Sequence, residues 1–291
     1  MKLDKIIYIV DDDEDDRLLL KESITSVIPD ATIREACDGA DFVDQITMGV
    51  NSGQIVVLMD MNMPRMNGLE ALTILKSIPD LAHIPVILIS TASDREQVKN
   101  AYDNGINAYV KKPFKISEYE DIAKAVAVCF LNDYPAFDNP VAAGSLSAKT
   151  ILVIDDNADQ SNLINLALKN CLPNAQILSA ADQSTALDLI SSRWLQYSKP
   201  PDMILLDLYL PERANGLALL KIIKDFLILK NLMTIPVIVL SHSSDADDVR
   251  DCYRYQANAF MSKNKDLTMW FSFFSLICHF WMNTIITHNK A

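Results

Sequence analysis

The sequence predicts an α/β protein of two tandem domains, each a doubly wound, five-stranded parallel sheet. Three observations predict it. Short apolar runs alternate with helical patterns, beginning with Ile6–Val10, Ile55–Met59 and Val86–Ile89. Those runs end in Asp11, Asp60 and Ser90, where buried parallel strands open into ligand-binding loops. The same programme then restarts near residue 149. A chain of 291 residues has room for two such domains, each with its own core.

Taken in order, Ile6–Val10 is the first strand, and it runs into Asp11, Asp12, Asp13, Glu14, Asp15 and Asp16. Acidic residues in a first helical turn favour the helix dipole, which accounts for Glu14 to Asp16. It does not account for Asp11 and Asp12 at the strand's end. A helix carrying Leu18, Leu19, Ile24 and Val27 follows, then a strand over 31–36 and a helix over 40–47. The strand ending at Asp60 leads through Pro64 to a helix over 68–78. Next come the strand ending at Ser90, a helix over 94–104 capped by Gly105, a strand over 108–111 and a closing helix over 117–131.

Residues 133–148, with two prolines, a glycine and small polar residues, read as a linker between domains at 1–132 and 149–291. Beyond it, Ile151–Ile154 runs into Asp155 and Asp156, Met203–Leu206 into Asp207, Pro236–Leu240 into Ser241, and Ala259–Ser262 into Lys263. The offset between copies is 144 from Asp12 to Asp156, 147 from Asp60 to Asp207 and 151 from Lys112 to Lys263. Its steps fall in loops, which marks a duplicated domain.

The segment D-M-N-M-P-R-M-N-G, from Asp60 to Gly68, resembles the phosphoacceptor motif of response-regulator receiver domains, a flavodoxin-like family. The resemblance implies that Asp60, and Asp207 in the second copy, accept a phosphoryl group from a histidine kinase or histidine phosphotransfer protein. It implies Mg²⁺ held by Asp11, Asp12, Asp60 and the Asn62 carbonyl, and in the second copy by Asp155, Asp156, Asp207 and Tyr209. Three carboxylates at one sheet edge repel one another unless a cation joins them, and Mg²⁺ is a hard ion that takes oxygen ligands. By the same resemblance Ser90 and Tyr109 are switch residues, Lys112 stabilises the phosphoryl oxygens, and Pro113 follows a cis bond. Ser241, Phe260 and Lys263 are their counterparts.

The second copy departs from the family pattern. Asn264 replaces the proline after the lysine, Tyr209 stands where the first copy has Asn62, and Gln256 replaces Gly105. His242 follows Ser241 and reads equally well as a crowding residue or an ordinary loop residue. The first copy is therefore expected to be the more active acceptor.

A net charge of −12 argues against nucleic-acid binding. Five cysteines without metal-ligand spacing suggest buried free thiols in a reducing cytoplasm, and the N-terminus has no signal-peptide pattern. No output or catalytic module is recognisable, so the expectation is a signalling switch and not an enzyme. The alternative is an adaptor whose second copy serves only for docking or dimerisation. Leu267–Asn289 carries no Asp, Glu, Lys or Arg. One apolar stripe (Leu267, Trp270, Phe271, Phe274, Ile277, Cys278, Trp281, Ile285) suits a closing helix. A second (Met269, Phe273, Leu276, Phe280) suggests a homodimer or interdomain contact, and membrane insertion is not expected.

Overall fold

The computed structural model describes residues 4–49, 53–91, 94–134, 149–193, 199–263 and 268–284. Most of the expected linker, together with Asn264, Leu267 and Ile285, lies outside them. The chain divides into two compact units. The first contains β1 (Lys5–Val10), α1 (Glu14–Val27), β2 (Thr32–Ala36), α2 (Gly39–Met48) and β3 (Gln54–Asp60). It continues with α3 (Gly68–Ser77), β4 (Val86–Ser90), α4 (Arg95–Asp103), β5 (Ala108–Lys111) and α5 (Ile116–Phe130). The second unit repeats the series: β6 (Thr150–Ile154), α6 (Ala158–Cys171), β7 (Gln176–Ala180), α7 (Gln183–Asp188), β8 (Met203–Asp207) and α8 (Arg213–Leu229). It closes with β9 (Val237–Ser241), α9 (Ala246–Arg254), β10 (Ala259–Ser262) and α10 (Thr268–His279). Helices α7 and α10 both run on into a π-helical turn, Leu189–Arg193 and Phe280–Thr284.

Each sheet is five-stranded, in the orders β2-β1-β3-β4-β5 and β7-β6-β8-β9-β10, and every pairing is parallel. The central strands are buried at every position except the first residues of β3 and β6, which is why they read as unbroken apolar runs and not as alternating ones. Register aligns Val10 with Met59, Asp60 with Ile89, and Ser90 with Lys111. The ends of β1, β3, β4 and β5 therefore share one edge. Gly68 is required there, because a Cβ would run into the carbonyl of Asp60, and at Gly216 it would run into that of Leu208. Absence of a side chain lets the helix start press against the loop after the acceptor strand.

Several expectations need correction. The cis peptide bond among the described residues is Leu210–Pro211, so Lys112–Pro113 is trans, the isomer a proline bond favours by about 0.5–1 kcal/mol. Cys37 is exposed while the other four cysteines are buried. His242 is exposed, which favours the loop-residue reading. Gln256 adopts φ 62°, close to the left-handed conformation that Gly105 takes at φ 89°, despite its side chain. Phe273, Leu276 and Phe280 of the second stripe are buried within the single chain, while Phe271 of the first is exposed. Glutamate at Phe273 and Phe280 would thus bury unpaired carboxylates and unfold the second unit. Among the described residues no helix is long and apolar enough to cross a membrane.

Candidate functional site

In the first unit Asp11 and Asp60 are buried at the strand ends, and Asp12 is exposed beside them. The amides following each carboxylate fix its orientation: Asp13 N donates to Asp11 Oδ1 (2.9 Å) and Asn62 N to Asp60 Oδ2 (2.8 Å). Burial raises the Asp11 pKa and pushes Asp60 up to about 6, against the opposing pull of Lys112 on both. The Lys112 ammonium lies 2.9 Å from Asp11 Oδ2, 2.6 Å from Asp16 Oδ2 and 3.9 Å from Asp60 Oδ1. Burial alone would lower the Lys112 pKa. Its hydrogen bonds to Asp16 and Asp11 outweigh that and hold it above the usual lysine range. Asp16 also accepts from Tyr119 of α5 (3.0 Å). Ser90 and Tyr109 are both fully buried and hydrogen-bonded to each other.

The second unit arranges the same groups differently. Asp155 and Asp207 are buried and Asp156 is exposed. Lys263, itself buried, sits 2.9 Å from Asp155 Oδ2, 2.8 Å from Asp207 Oδ2 and 2.7 Å from Gln160 Oε1. Burial raises the pKa of Asp207, with the Lys263 charge opposing it. Ser241 and Phe260 are fully buried, as their counterparts are. Tyr209 N donates to Asp207 Oδ1 (3.2 Å), but its phenol turns to α9 and donates to Asp248 (3.1 Å). Arg213 clamps that carboxylate at 2.5 Å and reaches Asp251 at 2.7 Å.

Oxygen-only donors suit a hard divalent cation. Ligand atoms of Asp155, Asp156 and Asp207 lie within 4.8 Å of one another, and among the described residues no other acidic group closes to that spacing. Among the described residues the three carboxylates thus close to that spacing in the second copy and not in the first. With its ammonium divided between Asp11 and Asp16, less positive charge draws Asp60 toward the acidic pair. Sequence reasoning gave Gln160, Arg213 and Asp248 no part in the site, and assigned Asp16 only to the helix dipole. Comparing the copies position by position would have found the exchange of Asp16 for Gln160, which lies at the same offset of 144 as Asp12 and Asp156.

An acidic pair, a third strand-end carboxylate and a lysine at the carboxyl edge of a parallel 2-1-3-4-5 sheet define a receiver-type α/β domain, here present twice. The chain belongs to the response regulator receiver domain family, whose model matches residues 7–124 and 151–269. It is similar to the response regulator Rcp1 of Synechocystis sp., at 31% identity over 138 residues, covering 47% of this chain and 91% of the relative. It also resembles a chemotaxis protein CheY homolog of Campylobacter jejuni, at 32% over 108 residues, covering 37% and 81%. A solved structure of a phosphorylated cyanobacterial phytochrome response regulator, RcpA, matches at 31% identity, with TM-score 0.42 and coverage of 48% and 99%. The protein thus belongs to two-component signal transduction.

Proposed function

We infer that this protein is a phosphoryl-accepting switch with Asp60 as its principal acceptor, taking its phosphoryl group from a histidine kinase or phosphotransfer protein in the cytoplasm. One observation carries the reading: Asp60 is a buried strand-end carboxylate whose Oδ1 forms a long ion pair with Lys112 at 3.9 Å, close enough for charge but beyond hydrogen-bond distance. That oxygen attacks the phosphorus of the donor's phosphohistidine, the phosphorus–nitrogen bond breaks, and the imidazole leaves. Lys112 balances charge on the transferred oxygens. Asp11, Asp12, Asp60 and the Asn62 carbonyl would hold Mg²⁺, and Asp155, Asp156, Asp207 and Tyr209 would do so in the second receiver. The metal supplies further neutralisation of phosphoryl charge. Ser90 and Tyr109, already joined to each other, would follow the phosphoryl group as switch residues. Ser241 and Phe260 are their counterparts. The signal would leave through altered partner binding, without a separate output domain or an enzymatic activity of its own.

Asp207 is the slower acceptor in this reading, because Lys263 already occupies Oδ2. The experiment is phosphate incorporation from acetyl phosphate with Mg²⁺ in Asp60→Asn and Asp207→Asn proteins. Loss of most incorporation in Asp60→Asn alone is expected. Equal rates in the two single variants would refute the asymmetry.

A further inference from the structure

Two of the buried cysteines face each other. Cys171 ends α6, Cys278 lies in the last turn of α10, and their sulfurs are 3.4 Å apart. The first receiver packs the equivalent helices, α1 and α5, against each other in the same way. There the offsets of 144 and 151 place Val27 and Ala127 where Cys171 and Cys278 stand. Both positions of one helix contact differ between the copies, and both differ by carrying a thiol. The fold does not demand thiols there, since the first receiver carries valine and alanine at the equivalent positions of the same helix pair.

We propose that Cys171 and Cys278 form a modification site, a dithiol that a hydroperoxide converts to an intramolecular disulfide joining α6 to α10. The sulfurs, already in contact at 3.4 Å, must close to a bond of about 2.05 Å. Cys171 is 7% exposed and Cys278 fully buried, so the oxidant meets Cys171 first. The hydrogen bond they share holds the Cys171 thiol below its usual pKa and the Cys278 thiol above it, in keeping with that order. The Cys171 sulfur attacks the peroxide, the oxygen–oxygen bond breaks, and a sulfenic acid forms as an alcohol or water leaves. The Cys278 sulfur then attacks the Cys171 sulfur, the sulfur–oxygen bond breaks, and water departs with the thiol proton. Two sulfurs together lose two electrons and the peroxide gains them.

The full chain would be treated with hydrogen peroxide, unfolded in iodoacetamide, and mapped by mass spectrometry. The expected result is loss of two hydrogens, a linked Cys171–Cys278 peptide reversed by dithiothreitol, and a higher unfolding midpoint for the second receiver. The Cys171→Val, Cys278→Ala variant carries the first receiver's residues, so it should fold and give no linked peptide. Oxidation confined to Cys37, with Cys171 and Cys278 still alkylated, overturns the proposal. So does a sulfinate at Cys171 without the cross-link.

Discussion

The two receivers hold one lysine in two different ways. Lys112 is partly exposed, is shared between Asp11 and Asp16, and keeps 3.9 Å from the acceptor. Lys263 is buried and bonded to both Asp155 and Asp207. Helix α1 carries an acid, Asp16, where α6 carries a neutral amide, Gln160. A third carboxylate competes for the ammonium, and an amide only supplements it. The lesson is that the acidic pair, the acceptor and the lysine can be kept in both copies while a residue outside them decides where the positive charge sits.

The largest effect should come from removing each lysine. Lys263→Ala leaves two buried carboxylates unpaired and should cost about 3–5 kcal/mol, whereas Lys112→Ala, at a partly solvated site, should cost about 1 kcal/mol. Urea unfolding of each variant without divalent metal measures both, and equal losses would break the comparison.

A second difference lies under the sheets. Lys224 of α8 is buried with its ammonium on Asn258 Oδ1 (3.0 Å), while its counterpart Lys76 of α3 donates to the carbonyls of Ala82 (3.0 Å) and Ile84 (2.7 Å). Burial pushes both down to about 7. The unfolded chain binds more protons between that value and the ordinary lysine pKa. Stability therefore rises with pH across the window, and the penalty is fully present below the folded pKa. Lys224→Met should flatten that slope in the second receiver, adding roughly 2 kcal/mol at pH 7. Lys76→Met should gain less, because it strands two carbonyls. Unfolding midpoints between pH 6 and 10 test both.

The smallest effect tests the exchange of acid for amide. Asp16→Gln should release Lys112 toward Asp60 and lower the Asp60 pKa by about half a unit to one unit from its value near 6. Gln160→Asp should raise that of Asp207. Carboxyl-carbon NMR titration reads each, and an unmoved Asp60 would mean that Asp16 does not divide the lysine's charge.

Much of this architecture was legible in the sequence. Parallel strands buried on both faces must be apolar throughout, so their ends at Asp60, Ser90 and Asp207 stood out, and the repeat fixed the topology twice. The Lys112–Asp16 pairing stayed hidden because an acidic first turn already has a sufficient cause in the helix dipole. Arg213, Asp248 and Tyr209 meet across two elements, and no local pattern joins residues 35 and 39 apart in sequence. For the closing helix, periodicity revealed two apolar stripes but not whether the chain itself buries both.

The Arg213 clamp has a consequence for timing. In the first receiver the equivalent arginine, Arg65, pairs instead with Asp38 at the start of α2. In the second, the loop beyond the acceptor is riveted to α9 by an arginine on two carboxylates and a phenol on one of them. A rearrangement that parts this loop from α9 must break these contacts together, which adds to its barrier. If both receivers accept phosphoryl groups as proposed, they would then keep different clocks. The first would follow the momentary signal, and the second would respond late and hold its state after the signal has gone.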